Sequence, residues 1–94
     1  MKLVWGARAK RDLRELVSYI AEDSIQAAEV VAGRILNTAE VLAKMPRSGR
    51  HGRVPKTSER VVGRTPYILV YSIVSGQIRI LRIYHAARKW HVRL

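Results

Sequence analysis

The residues that could carry chemistry in this 94-residue chain lie mostly in its second half. His85 could act as a general base or acid, and nearby arginines could hold a phosphate. Cleavage of RNA through its 2′-hydroxyl needs such groups: a base, an acid, and cations that stabilise the charge of the phosphorane. The candidate phosphate ligands are Arg53, Arg60, Arg64, Arg82 and Arg88; Glu59 is the one carboxylate of residues 41–94; and Tyr67, Tyr84 and Trp90 could stack a base.

The same residues also have structural interpretations. His85 at a strand end fits a hydrogen-bonded structural residue equally well. Tyr67 and Tyr71 lie two strand periods apart on one face, so we predict that both belong to the core, as does Trp5. Any basic protein with a histidine would supply most of the groups above, so their presence alone does not establish an enzyme.

The charge of the chain is divided very unevenly. The net charge is +11, yet residues 1–40 are neutral, with six basic and six acidic groups, whereas residues 41–94 hold twelve basic groups against Glu59 alone. Charge this one-sided indicates a polyanionic partner, either nucleic acid or an acidic protein segment. A merely solubilising surface is the alternative, although solubility of a small domain needs a net charge of only roughly 2 to 8.

Composition limits the class of protein. Hydrophobic residues make up 48% and charged residues 27% of the chain, which is ordinary for one folded domain, here residues 1–94. The absence of cysteine excludes disulfides, a thiolate zinc site and a cysteine nucleophile, and we expect no metal and no cofactor. No apolar run approaches a signal peptide or a membrane span, so we expect a cytoplasmic protein without a membrane partner.

Hydrophobic periodicity places two helices in the first half. Residues 2–5 form a short candidate strand. In residues 7–23 the apolar side chains recur at helical spacing, with Asp12 and its charged neighbours assigned to the opposite side. Ser24 can cap a second helix that runs to about Lys44, because Pro46 prevents its continuation. The short connection predicts an antiparallel helical hairpin.

The second half reads as a loop followed by strands. Residues 46–57 are rich in glycine, proline and cations and lack periodicity; Gly49 and Gly52 suit turns with positive φ, and clustering of the loop arginines favours partner contact. Residues 60–63, 67–73 and 77–84 are β-like, with Ser75 and Gly76 at a tight hairpin turn. The predicted fold is α+β: the N-terminal strand, the helical hairpin and a three-stranded antiparallel meander, forming one mainly antiparallel sheet with the helices on one face and the first strand at an edge.

Taken together, these segments resemble ParE-type toxins of the RelE/ParE superfamily of type II toxin–antitoxin systems. No single segment is diagnostic, but their order and spacing over nearly the whole chain are specific. The matching pieces are Val4-Trp5, Ala9, Asp12-Leu13, Tyr19-Ile20-Ala21, Ala27-Ala28, and residues 46–55, 65–71 and 81–90.

The resemblance implies a bacterial growth-inhibiting toxin, of a kind associated with plasmid stabilisation, that a cognate acidic antitoxin neutralises. Toxin–antitoxin heterotetramers are possible in such systems. Two activities share this fold: ParE-like members inhibit DNA gyrase without being hydrolytic enzymes, whereas RelE-like members cut mRNA on the ribosome.

One position favours the gyrase-directed branch. The endonuclease branch typically carries an arginine in the central strand that contacts the scissile phosphate, and the matching residue here is Ile68. The catalytic aromatic of that branch aligns near Ala86 or Ala87. If the chain is nevertheless an endoribonuclease, its candidate catalytic residues are His85, Arg64, Arg82 and Arg88. The residues predicted to bind the antitoxin or the target are Arg50, Arg53, Arg60, Arg79, Arg82, Arg88, Lys89 and Trp90.

Overall fold

The computed structural model describes residues 1–88 and Leu94. The elements are β1 (Lys2–Trp5), α1 (Ala7–Ala21), α2 (Ile25–Lys44), β2 (Arg50–His51), β3 (Ser58–Val61), β4 (Tyr67–Val74) and β5 (Gln77–His85). The strands form one sheet in the order β1-β5-β4-β3-β2. The helices pack together and against the sheet, so the α+β prediction is confirmed.

The helical hairpin forms as its sequence predicts. Ser24 precedes α2 in extended backbone, and its Oγ accepts a hydrogen bond from the Ala27 amide at 3.1 Å. This satisfies one of the amide groups that a helix start leaves without a partner. The helix ends at Lys44, two residues before Pro46, as expected.

The sheet has two features that the sequence did not predict. β3, β4 and β5 form the antiparallel meander, and β1 takes an edge, but β1 runs parallel to β5, with Leu3 opposite Ile78, which makes the sheet mixed. The predicted loop of residues 46–57 also contains β2, which pairs Arg50 with Glu59. A two-residue strand is too short to produce a detectable period, and its pairing depends on the neighbouring strand.

A bulge interrupts the alternation of side chains along β5. Val70 lies opposite Arg82 while Tyr71 lies opposite Ile80, so Leu81 is an extra residue with no partner in this register. The extra residue reverses the side-chain parity of the strand. Ile78, Ile80 and Ile83 therefore all enter the core, although the last spacing is odd.

The predicted turn at Ser75 and Gly76 is confirmed, but the positive φ predicted for two other glycines is not. The backbone of Ser75 and Gly76 has φ of 48° and 74°, as a tight hairpin turn of type I′ requires. Gly49 and Gly52 do not have positive φ, so that prediction was wrong. At Gly49 the reason for glycine is close packing, because a Cβ there would lie 2.6 Å from the Glu59 carbonyl oxygen and closer still to the Tyr71 hydroxyl.

The core lies between the helical hairpin and the sheet. Tyr67 and Tyr71 are buried in it, and Trp5 packs against it, as predicted. Within the part of the chain that is described, neither helix has the length and apolar composition of a membrane span, and no three His, Asp or Glu side chains are placed to hold a metal ion.

Candidate functional site

A cleft of about 410 Å³ lies between α1 and the second half of β5. It exists because β1 ends at Trp5, whose partner on β5 is Ile80, so α1 and not a strand flanks the remainder of β5. The cleft is lined by Asp12 and Tyr19 from α1 and by Tyr67, Arg82 and His85 from the sheet, among others.

Asp12 fastens α1 to β5 and determines how Arg82 is held. Its Oδ2 accepts hydrogen bonds from Nε of Arg82 at 2.8 Å and from the backbone amide of Ile83 at 2.9 Å, and its Oδ1 accepts from the second guanidinium nitrogen at 3.1 Å. Both side chains are largely buried, with 13% of Asp12 and 21% of Arg82 exposed. The hydrogen bonds from Arg82 to Asp12 raise the pKa of the Arg82 guanidinium, so it stays charged and paired throughout the physiological pH range.

Aromatic rings hold the cations of the cleft. The Arg82 guanidinium lies 5.0 Å from the centre of the Tyr84 ring, and that of Arg88 lies 5.7 Å from the centre of the Tyr19 ring. Each distance is within the range of a cation–π contact. The mouth of the cleft thus presents guanidinium groups that already have protein partners.

His85 is engaged in the structure on both sides. Its ring meets the Tyr67 ring edge-on, with centroids 5.4 Å apart and an angle of 87° between the planes. Its Nδ1 accepts a hydrogen bond from the Ala87 amide at 3.1 Å, which orients the imidazole. These contacts fix the orientation of the His85 ring at the end of β5.

Comparison with known proteins decides the family of this chain. The model of the ParE toxin of type II toxin–antitoxin systems, parDE, matches residues 3–90. The chain belongs to this family. Its cleft and its basic second half are therefore features of the toxin of a type II toxin–antitoxin module, and an antitoxin is its partner.

Two relatives agree with this assignment. The toxin is 40% identical over 89 residues to the putative toxin Y4kP of Sinorhizobium fredii, which covers 95% of this chain and 92% of that one. It is 37% identical over 87 residues to toxin RelE2 of Caulobacter vibrioides, covering 93% and 97% of the two chains.

Two solved structures share the fold. One is the chromosomal ParDE system from P. aeruginosa, with a TM-score of 0.81, 24% identity and coverage of 90% of this chain and 95% of that one. The other is the intact E. coli RelBE toxin–antitoxin complex, with a TM-score of 0.67, 18% identity and coverage of 93% and 98%.

The cleft collects some of the predicted catalytic residues of the toxin but not all. Arg82, His85 and Arg88 line it. Arg64 does not: it is exposed in the turn between β3 and β4, where its carbonyl accepts a hydrogen bond from Arg34. Glu59 is also absent from the cleft: it lies on β3, where it is 2% exposed and paired with Arg50.

The residues predicted to bind the antitoxin or the target are spread over the sheet half of the toxin. Arg50, Arg53 and Arg79 are exposed, and Arg60 is half-buried with its guanidinium donating to the Ser48 carbonyl. Lys89 and Trp90 lie outside the described residues.

Asp12 is the site residue that sequence reasoning misplaced. It was assigned to the polar side of α1, whereas it faces β5. The buried Ala9 and Leu16 lie three residues before and four residues after it. Helix geometry places such positions on one face. That spacing could have identified an acid on the buried side of the helix.

Proposed function

We propose that this toxin inhibits bacterial growth by acting on DNA gyrase, and that it does so through a protein surface without being a hydrolytic enzyme. In this proposal an acidic antitoxin neutralises it in the cytoplasm, in a complex that can reach a heterotetramer. The two activities of the superfamily require different residues in the cleft and on β4. The residues at those two places therefore favour one activity over the other.

The observation that carries the proposal is Ile68. It takes the central-strand position where the endonuclease branch has an arginine, and only 3% of it is exposed. In the register of the sheet it lies between Val61 and Tyr84. A buried isoleucine cannot donate a hydrogen bond to a phosphate, and a charge at so buried a place would lose its hydration.

The state of the cleft supports the same choice. Asp12 already satisfies Arg82 in a bidentate pair, so an incoming phosphate would compete with a fixed carboxylate. Ala86 and Ala87, which align near the catalytic aromatic of the endonucleases, are exposed methyl groups that supply neither a proton nor a stacking surface.

The test is a parallel measurement on the purified toxin. We expect it to block DNA supercoiling by gyrase, or to stabilise gyrase-cleaved DNA, and the cognate antitoxin should reverse the effect. In a translating extract, mRNA should remain intact. Unaffected gyrase together with mRNA cut in the extract would overturn the proposal.

A ribosome-dependent endonuclease is the second candidate, because Arg82, His85 and Arg88 do meet in one cleft. His85→Ala and Arg88→Ala separate the two functions without disturbing the pair between Asp12 and Arg82. If the toxin is a nuclease, both variants lose mapped mRNA cleavage and toxicity together. If it acts on gyrase, there is no cleavage to lose, and gyrase inhibition is the readout that reports each variant.

A further inference from the structure

Residues 46–57, here called the basic loop, form a surface that the cleft does not include. Of this loop's residues, four cations and one histidine are exposed: Arg47, Arg50, His51, Arg53 and Lys56. A cluster of exposed cations on a flexible loop is usually only a solvated surface. The basic loop differs from such a surface, because hydrogen bonds to buried side chains fix its backbone.

Tyr71 holds the beginning of the loop. It is 0% exposed, its hydroxyl donates to the Pro46 carbonyl at 2.8 Å, and the same oxygen accepts from the Gly49 amide at 3.1 Å. One core side chain thus satisfies two backbone groups of the loop. A Cβ at Gly49 would collide with that hydroxyl, so glycine is required by the anchor itself.

Glu59 and Thr57 hold the rest of it. The Glu59 carboxylate accepts from the Arg53 amide at 2.9 Å and pairs with the Arg50 guanidinium at 3.3 Å. Thr57 is 9% exposed, its hydroxyl donates to the Val54 carbonyl at 2.7 Å, and its own carbonyl accepts from the Gly52 amide at 2.9 Å. The cations are therefore displayed on a loop of fixed shape, which reduces the entropy lost when they bind.

The chemistry of the loop surface distinguishes between possible partners. Among the described residues, none of the large hydrophobic side chains that are substantially exposed lies between Met45 and Val61. Protein interfaces have an apolar centre with aromatic anchors, and charged residues are depleted at that centre. Interfaces with nucleic acid are more polar and far more positive. The loop also has no Phe, Tyr or Trp on which the bases of a single strand could stack.

We propose that the basic loop binds the phosphodiester backbone of double-stranded DNA without reading its sequence. The charge of the loop and its lack of aromatic side chains favour a duplex backbone. The choice of DNA over RNA rests on the proposed action on gyrase, whose substrate is DNA. The loop would add a contact with the DNA that the target holds.

The experiment measures binding of the full-length toxin to a short duplex DNA of arbitrary sequence by fluorescence anisotropy, without gyrase, over a series of salt concentrations. The test variant carries Arg47→Gln with Lys56→Gln. The matched control carries Lys10→Gln with Arg14→Gln, which removes the same charge from exposed positions of α1. Thermal unfolding of both variants checks that they remain folded.

We expect the loop variant to bind on the order of tenfold more weakly near physiological ionic strength, with the slope of log K against log salt reduced by about two. The α1 variant should bind within about twofold of the parent, since its charges lie in the neutral half of the chain. Equal losses of DNA affinity in both variants would show that binding depends only on the net charge of the toxin, and this would overturn the proposal.

Two further ligands test the kind of partner. Polyglutamate of equal charge binding as tightly as DNA would assign the loop to an acidic protein, and a duplex RNA binding more tightly would assign it to RNA; either result overturns the proposal. Because gyrase is absent, DNA binding that depends on the loop can be present even where gyrase is not inhibited. A failure of this inference is thus distinguishable from a failure of the proposed function.

Discussion

At the level of single residues, the pair between Asp12 and Arg82 determines what the cleft can offer to a ligand. Arg82 was selected from the sequence as a cation that could meet a phosphate or an acidic partner. In the folded toxin its guanidinium is bound in a bidentate pair and covers the Tyr84 ring. The same carboxylate accepts a hydrogen bond from the Ile83 amide of β5, beyond the residues that pair with β1. Asp12 therefore serves the fold and the electrostatics of the cleft at once.

Replacing Asp12 tests this role. Asp12→Ala removes the carboxylate from a largely buried guanidinium and leaves the Ile83 amide without this acceptor, so we expect a loss of about 2 to 4 kcal/mol in the free energy of unfolding. Urea denaturation measures it. Glu15→Ala is the control, because its pair with Arg11 is 66% and 74% exposed on the two sides and should contribute less than about 0.5 kcal/mol. Equal effects of the two substitutions would contradict the structural role of Asp12.

At the level of elements, the features that depend on neighbouring residues were predicted from the sequence, whereas the features that depend on strand pairing were not. The cap at Ser24, the end of α2 before Pro46 and the turn at Ser75 and Gly76 each depend on a few neighbouring residues, and all three were predicted. The bulge at Leu81 and the strand β2 depend on what lies opposite them in the sheet. Both are defined only by the register of the paired strands.

The hairpin between β4 and β5 provides a test at this scale. Ser75 has φ of 48° in a turn that favours asparagine followed by glycine. We expect Ser75→Asn to raise the free energy of unfolding by about 0.5 kcal/mol, in line with other compatible turn substitutions. Gly76→Ala, at φ of 74°, should lower it by about 1 kcal/mol or more. Chemical denaturation of both variants checks the two signs, and a gain from Gly76→Ala would contradict the turn geometry.

At the level of the whole molecule, the structure shows which elements carry the uneven charge. The neutral part of the chain, residues 1–40, supplies β1 and nearly all of the helical hairpin, and the basic part supplies four strands and the basic loop. An acidic antitoxin that covers the toxin would thus meet its cations mainly on the sheet side. For the acidic antitoxin proposed above, this sets the direction of the electrostatic attraction.

Charge reversal tests that direction. Arg79→Glu on β5 should weaken the affinity of the antitoxin by about tenfold at low salt, because a reversed charge would repel the proposed acidic partner, and the loss should shrink at high salt. Lys10→Glu on α1 reverses a charge in the neutral half and should have much the smaller effect. Titration calorimetry at two salt concentrations measures both. An antitoxin affinity insensitive to Arg79→Glu would argue against an electrostatic contribution from the sheet.

The sequence by itself determined the order of the main elements, the cap and the turn, the uneven charge and the family. These features are encoded by residues close together in the chain, through periodicity, backbone preference and composition. Which candidate residues meet was decided by the tertiary structure. The cleft brings Arg82, His85 and Arg88 together and leaves Arg64 outside.

The physical reason is that side-chain partners from different elements depend on register and packing. Asp12 accepts a hydrogen bond from β5 only because β1 stops early and leaves the Ile83 amide open to it. Gly49 is glycine because a tyrosine 22 residues away needs the space. Neither relation has a pattern in the local sequence, since each exists only between elements that the fold has brought into contact.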